Sequence, residues 1–173
     1  GWEYVRTSAL GGRLLEACDN ARQILSRLRQ FNRITPPEFE TCDINKILGS
    51  TVDFLEFECR RNEVDIKMNL ATLPLQVHAN NAHLQQVVVN LFINAFEAMS
   101  EVAAADRSLM VSSRQEEDLV VVEISDSGPG LTVSDDVAFT AFESTKADGL
   151  GMGLSICSRI IEDHSGRISV SSR

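Results

Sequence analysis

The spacing of apolar residues switches along the chain between a helical period and a strand period, and the switches mark out its elements. From 13 to 33, "RLLEACDNARQILSRLRQFNR" places Leu14, Cys18, Ala21, Leu25, Leu28 and Phe31 three or four apart, which predicts one amphipathic helix with a narrow, coiled-coil-like seam. Such a seam needs a partner helix. The glycine-broken "GWEYVRTSALGG" before it is a poor one, so another chain is the expected source. Pro36 and Pro37 stop the helical pattern and predict a boundary, with helix and linker over 1–37 and a globular domain over 38–173.

Beyond the boundary the pattern predicts a short strand near 38–42 and a helix over 44–61 with Asp43 as its N-cap. "VDIKMNL" at 64–70 alternates as a strand, "LQVHA" at 75–79 reads as another, and 81–99 is strongly helical. "SLMVSSRQ" and "LVVVEIS" form a hairpin about the polar "EED". A loop of roughly 25 residues follows, long enough to suggest a functional lid. A glycine triplet then opens a helix to about His164, Gly166 closes it, and "RISVSS" is a final strand. The sum is an α+β sandwich, a mixed sheet with helices on one face.

Composition leaves this picture intact: 43% hydrophobic and 24% charged residues suit a soluble globular domain. The net charge of −9 narrows the function, because a nucleic-acid backbone would be repelled over most of the surface. Any anionic ligand must be held locally, by a metal ion, a helix N-terminus or a single cation. Cys18, Cys42, Cys59 and Cys157 show no C-x-x-C spacing and read as reduced packing thiols of a cytosolic protein rather than zinc ligands. No run of about 18 apolar residues and no signal-peptide pattern occurs, so no direct membrane contact is expected of this stretch.

Three polar constellations carry candidate chemistry. In "HLQQVVVNLFINAFEAM", Gln86, Asn90, Asn94 and Glu97 gather into one stripe opposite Leu84, Val87, Val88, Leu91, Phe92, Ala95 and Met99. The stripe is either a solvated face or a place where an amide oxygen meets a hard cation such as magnesium. In "VVVEISDSGPG" an apolar strand ends on Asp126 and turns through Gly128 and Gly130. That is either a plain Asx turn or a carboxylate set to accept the exocyclic amine of a base, with glycines letting the backbone approach the ring.

The third, "STKADGLGMGLS", alternates Gly149, Gly151 and Gly153 before a helix. The spacing fails the dinucleotide fingerprint, and Lys146 precedes the glycines where a P-loop lysine follows them. A hinge and an array of backbone N–H groups facing phosphate both fit. Lys146 could reach a terminal phosphate or lie in solvent.

In this order the three elements resemble the catalytic ATP-binding domain of sensor histidine kinases, the Bergerat fold shared with gyrase, Hsp90 and MutL-type ATPases. "NLFINA" (90–95) is similar to the N box, "DSGPG" (126–130) to the G1 box, "FTAFESTK" (139–146) to the F box and "GLGMGL" (149–154) to the G2 box. The resemblance spans about 40–172 and leans toward the oxygen- and nitrogen-sensing branch. The helix at 13–33 resembles the second helix of that family's dimerisation hairpin.

The resemblance implies ATP and Mg2+ as cofactors, with Asn94 as the magnesium ligand and Asn90 lining the phosphate site. Asp126 would recognise the adenine amine, with Gly128 and Gly130 shaping the base pocket. Thr145, Gly149, Leu150, Gly151, Met152, Gly153 and Leu154 would hold the nucleotide, and Lys146 would approach the γ-phosphate. It further implies a bacterial, cytoplasmic protein, a homodimer through the N-terminal helix, and a response-regulator receiver domain as partner.

Hydrolytic members of the superfamily carry a glutamate where Asn90 stands, and an amide cannot serve as a general base. Transfer to another nucleophile is therefore expected over hydrolysis. The family's phosphoacceptor histidine lies on the first hairpin helix, and no histidine occurs before His78, so the acceptor is expected outside this stretch. Asn80 stands where the family usually has an acid, and Ala141 where proline is common. An ATP-binding regulatory module without transfer activity is the alternative reading.

Overall fold

The computed structural model describes residues 38–130, 139 and 153–171. The chain divides into two units, Gly1–Pro37 and Glu38–Arg173, and the described residues belong to the second. The helix expected at 13–33, and the dimer surface expected of it, lie outside them.

The domain runs β1 (Glu40–Asp43), α1 (Ile44–Phe54), α2 (Glu56–Arg61), β2 (Asp65–Asn69), β3 (Gln76–Ala79), α3 (Asn81–Ala98), β4 (Ser108–Glu116), β5 (Leu119–Asp126) and α4 (Gly153–Asp163). Strands β1 and β3 pair antiparallel. Strands β2, β4 and β5 form a mixed sheet, parallel between β2 and β4 and antiparallel between β4 and β5.

Side-chain alternation on β4 sends Leu109, Val111 and Ser113 inward. They meet Phe92, Phe96 and Met99 of the α3 region and Ile47 and Leu48 of α1, in one core that also takes Cys42 and Ala79 from the smaller sheet. Buried Ser113 is satisfied: its Oγ donates to Asn45 Oδ1 at 2.6 Å and accepts from the N–H of Ala71 at 3.1 Å.

Asp43 caps α1 as its position predicts, accepting from the N–H of Asn45 at 3.1 Å and from that of Leu75 at 3.2 Å. The helix expected over 44–61 is interrupted at Leu55 (φ −93°, ψ 6°), whose N–H is shared between the carbonyls of Thr51 and Val52. Leu55 itself is buried, while Phe54 and Phe57 on either side are exposed.

Two helix ends close alike. After α2, Glu63 takes a left-handed conformation (φ 53°) and the N–H of Val64 reaches back to Cys59 O at 3.0 Å. After α4, Ser165 (φ 57°) donates to Glu162 O at 2.8 Å and Gly166 to Ile161 O at 2.9 Å. Both are Schellman closures. The left-handed residue is therefore Ser165, not Gly166 as expected. Gly166 is needed one position later, where a Cβ would stand 3.0 Å from Ile161 Cγ2.

The strand expected from "RISVSS" is not formed over its described residues 167–171: no ladder partner exists for it among the described residues. Alternation supplies an apolar side, with Ile168 packed on α4, but strand bonds also need a neighbouring strand. Among the described residues no helix is long and apolar enough to cross a membrane.

Candidate functional site

Helix α3 is apolar on two sides, because two different layers cover it. Val88, Phe92, Ala95 and Phe96 face the sheet core, while Val87 and Leu91 pack with Cys157 and Ile160 of α4. The polar stripe of Asn90 and Asn94 is thus half-buried beside α4 rather than solvated. The helix starts at Asn80, whose Oδ1 accepts from the N–H of His83 at 2.9 Å and whose Nδ2 donates to Glu38 O at 3.1 Å.

Helices α3 and α4 run antiparallel in a fixed register, legible from four rungs. Gly153 lies against Asn94, with a Cβ there standing 3.6 Å from Oδ1 and 3.7 Å from Nδ2. One turn on, Cys157 packs against Val87 beside Asn90, its S–H directed at Val87 O at 3.9 Å. Ile160 packs with Val87, and the rings of His164 and His83 stack edge-on with centroids 6.1 Å apart. His164 then ties off the seam: its Nδ1–H donates to Ile160 O at 2.6 Å, and its Nε2 accepts the backbone N–H of Asn80 at 3.0 Å. That pairing fixes the neutral tautomer.

The end of β5 approaches the same helix from the other side. Asp126 faces the same way as its ladder partner Leu109, and its Oδ1 accepts the N–H of Gly128 at 2.8 Å. This closes the expected Asx turn and leaves Oδ2 to take another donor. A Cβ at Gly128 would stand 2.7 Å from Asp126 Oδ1 and 3.1 Å from Ala98 Cβ. Only glycine lets the turn press so closely on α3. Gly130 is left-handed (φ 80°), where glycine is again required. Ser127 anchors the turn, donating to Asp106 O at 2.7 Å and accepting from the N–H of Ser108 at 2.9 Å.

Of the residues singled out in the sequence, Asn90, Asn94 and Gly153 are therefore brought together. Gly128, bonded to Asp126 through its N–H, meets the same helix at Ala98, one turn further on. Leu154 follows Gly153 in the first turn of α4. Thr145, Lys146, Gly149, Leu150, Gly151 and Met152 lie outside the described residues, as does Ala141. Glu97 is exposed at the end of the stripe.

Sequence reasoning missed Ser127 and the partners that Cys157 and His164 meet across the helix pair. Cys157 is fully buried, and burial pushes its thiol up to about 11. A cysteine four residues after the last glycine of the triplet was the available signal, but its partner on α3 is set only by the helix register. Two open cavities among the described residues lie elsewhere, one between α1, α2 and β2 and one beside Phe39 and Asn80, and neither includes Asn94 or Asp126.

Residues 79–173 match the family model of histidine kinase-, DNA gyrase B-, and HSP90-like ATPases. The chain belongs to this family. As a member of it, the chain is 35% identical to the sensor protein TdiS of Thauera aromatica, over 88% of this chain and 28% of that protein. It is 36% identical to the sensor protein FixL of Bradyrhizobium diazoefficiens, over 90% of this chain and 31% of that one. The chain thus spans less than a third of either relative.

Among solved structures, this ATPase-family domain is similar to the catalytic domain of the histidine kinase ThkA, with a TM-score of 0.70 and 30% identity over 79% of this chain and 88% of that one. It also matches ThkA in complex with the response regulator protein TrrA, with a TM-score of 0.72 and 25% identity over 92% of this chain and 45% of that one. The α+β architecture read from the sequence is the fold of these kinase domains.

Proposed function

We propose that the chain is the ATP-binding catalytic part of a sensor histidine kinase, which moves the γ-phosphoryl group of ATP to a histidine outside it, for onward transfer to a response-regulator receiver domain. The observation that carries this reading is the convergence of two glycines on α3, Gly128 of the turn after β5 against Ala98 and Gly153 at the start of α4 against Asn94. A base-reading carboxylate and a phosphate-facing helix start are thereby held one helical turn apart on a single scaffold.

Each group has a distinct task. Asp126, with Oδ1 held by Gly128, offers Oδ2 to the exocyclic amine of adenine. The N-terminus of α4 turns backbone N–H groups and the positive end of its dipole toward phosphate, which suits an anionic ligand on a protein of net charge −9. Gly149 and Gly151 extend that array, with Thr145, Leu150, Met152 and Leu154 shaping it and Lys146 serving the γ-phosphate.

Asn94 fits magnesium. Its amide oxygen borders the space that a Cβ at Gly153 would fill, and one neutral oxygen suits an ion that keeps water and phosphate as its other ligands. When bound, Mg2+ neutralises charge on the transferred phosphoryl oxygens. Asn90 cannot deprotonate water, so the site holds ATP for an external nucleophile. Residues 13–33, expected to be helical from their apolar spacing, would provide a dimer contact in the full-length protein.

Calorimetric titration with Mg·ATP and Mg·GTP tests the reading. Guanine presents a carbonyl where adenine presents its amine, so GTP should bind at least about tenfold more weakly, the size of one charge-assisted hydrogen bond. Equal affinity for the two, or ATP binding that survives Asp126→Ala unchanged, contradicts it.

A further inference from the structure

We infer that His164 is a positioning residue for the nucleotide site: its Nε2 accepts the backbone N–H of Asn80, which pins the end of α4 to the start of α3 and thereby fixes where Gly153 stands against Asn94. The inference rests on the ATP reading of the site.

Three observations support it. The first is the nature of the seam. Helix α4 joins a small cluster apart from the main core, where Val87 of α3 meets Cys157 and Ile160. Aliphatic burial holds two helices together but has no direction, so it resists sliding and tipping weakly. A directional bond at one end supplies what the cluster lacks.

The second is the polarity of the ring. The carbonyl of Ile160, 2.6 Å from Nδ1, can only accept, and the backbone N–H of Asn80, 3.0 Å from Nε2, can only donate. The imidazole is thus a strut with one end in the last turn of α4 and the other on the residue that starts α3. The rings of Phe39, with centroids 4.8 Å apart, and His83, edge-on at 6.1 Å, hold its plane. The third is where the strut lands. Asn80 is the N-cap of α3, accepting from the N–H of His83 at 2.9 Å and donating to Glu38 O at 3.1 Å. The end of α4 is therefore referred to the frame of the helix that carries Asn94.

From Gly153 to Asp163, α4 is a rod of about 16 Å. Held at its far end, it sets its first backbone N–H groups beside the Asn94 amide. Freed there, it tips about the aliphatic cluster, and a misplacement of about 1 Å at a reacting centre is costly.

The test separates this role from bulk stability. His164→Asn keeps a donor for Ile160 O but has no group that reaches Asn80, and His164→Phe keeps a ring on Phe39 without a polar atom. His164→Gln extends an amide oxygen toward the Nε2 position. Val111→Ala, in the main core, gives the effect of lost stability alone. NMR of the whole 173-residue chain follows the His164 ring nitrogens and the backbone amides of Asn80 and Gly153, the latter assigned by loss of its resonance in Gly153→Ala. The wild type should show the Nδ1–H tautomer. Both amides should shift in the Asn and Phe variants and return in Gln, and Gly153 should stay in place in Val111→Ala.

Calorimetric affinity for Mg·ATP, measured where each variant is folded, should fall about three- to tenfold in Asn and Phe, the scale of one hydrogen bond, and recover in Gln. An Nε2–H tautomer in the wild type overturns the inference, as does a Gly153 amide unmoved by both Asn and Phe, or an equal loss of affinity in Val111→Ala. If one of the two variants does not fold, the other and the wild-type tautomer decide. A wild-type chain that binds no ATP overturns the ATP reading instead, and the Gly153 amide still decides whether His164 sets the register.

Discussion

Gly153 lies against the side-chain amide of Asn94, with a Cβ there standing 3.6 Å from Oδ1 and 3.7 Å from Nδ2. Those are ordinary contact distances, so the fold tolerates a methyl group while the space beside the amide is lost. Gly153→Ala should unfold at the wild-type temperature and yet bind Mg·ATP several-fold more weakly. Gly128→Ala differs, because its Cβ would stand 2.7 Å from Asp126 Oδ1 and 3.3 Å from the backbone carbon of Ala98. Overpacking there should cost about 1–3 kcal/mol of stability as well as binding. Thermal melts with and without nucleotide check both; equal destabilisation by the two substitutions contradicts the contrast.

Ser165 and Glu63 hold left-handed conformations at φ 57° and 53° that glycine adopts without strain. Relieving the Cβ conflict is worth about 1 kcal/mol per site, partly offset by the greater freedom glycine has in the unfolded chain. Ser165→Gly and Glu63→Gly should each stabilise the domain by a few tenths of a kcal/mol to about 1 kcal/mol. Gly166→Ala should do the opposite, since its Cβ would stand 3.0 Å from Ile161 Cγ2 and 3.3 Å from Ile161 O. Urea midpoints measure all three.

The thiol of Cys157 is raised by burial from an ordinary 9.0 to about 11. Burial also raises the thiols of Cys42 and Cys59. In the unfolded chain these groups lose their protons near pH 9, while folded Cys157 keeps its proton until about 11. The unfolded state therefore binds fewer protons in this window, and stability present below pH 9 should decline as the pH rises toward 11. Cys157→Ser has no thiol at this position, so its decline should be shallower. Denaturation midpoints across the window decide it; equal slopes for the two proteins contradict the assignment.

Much of this architecture was legible because it follows from periodicity. Val88, Phe92 and Met99 mark α3, and the alternation of Leu109, Val111 and Ser113 marks β4. The break at Leu55 was not legible, because spacings of four carry Thr51, Leu55 and Cys59 to the same buried side and keep the helical phase through the interruption. The left-handed residue after α4 was misplaced by one, since glycine is the usual occupant and a serine holds the position here.

At the site, box order singled out Asn90, Asn94, Asp126 and the glycines as candidates, because their spacing is local. The partners of Cys157 and His164 were hidden for the opposite reason. Those partners, Val87 and Asn80, are distant in sequence and meet them only through the register of two helices.

The most direct measurement is phosphoryl transfer. The chain is mixed with a separately made helical hairpin bearing a histidine, γ-labelled ATP and Mg2+, and label is followed on the hairpin and as free phosphate. Label should appear on the hairpin, disappear with Asn94→Ala and with Asp126→Ala, and be released as free phosphate only slowly, because Asn90 cannot activate water. Tight ATP binding with no label on the hairpin, or rapid phosphate release without an acceptor, would contradict the assignment of this chain as the transferring part of a histidine kinase.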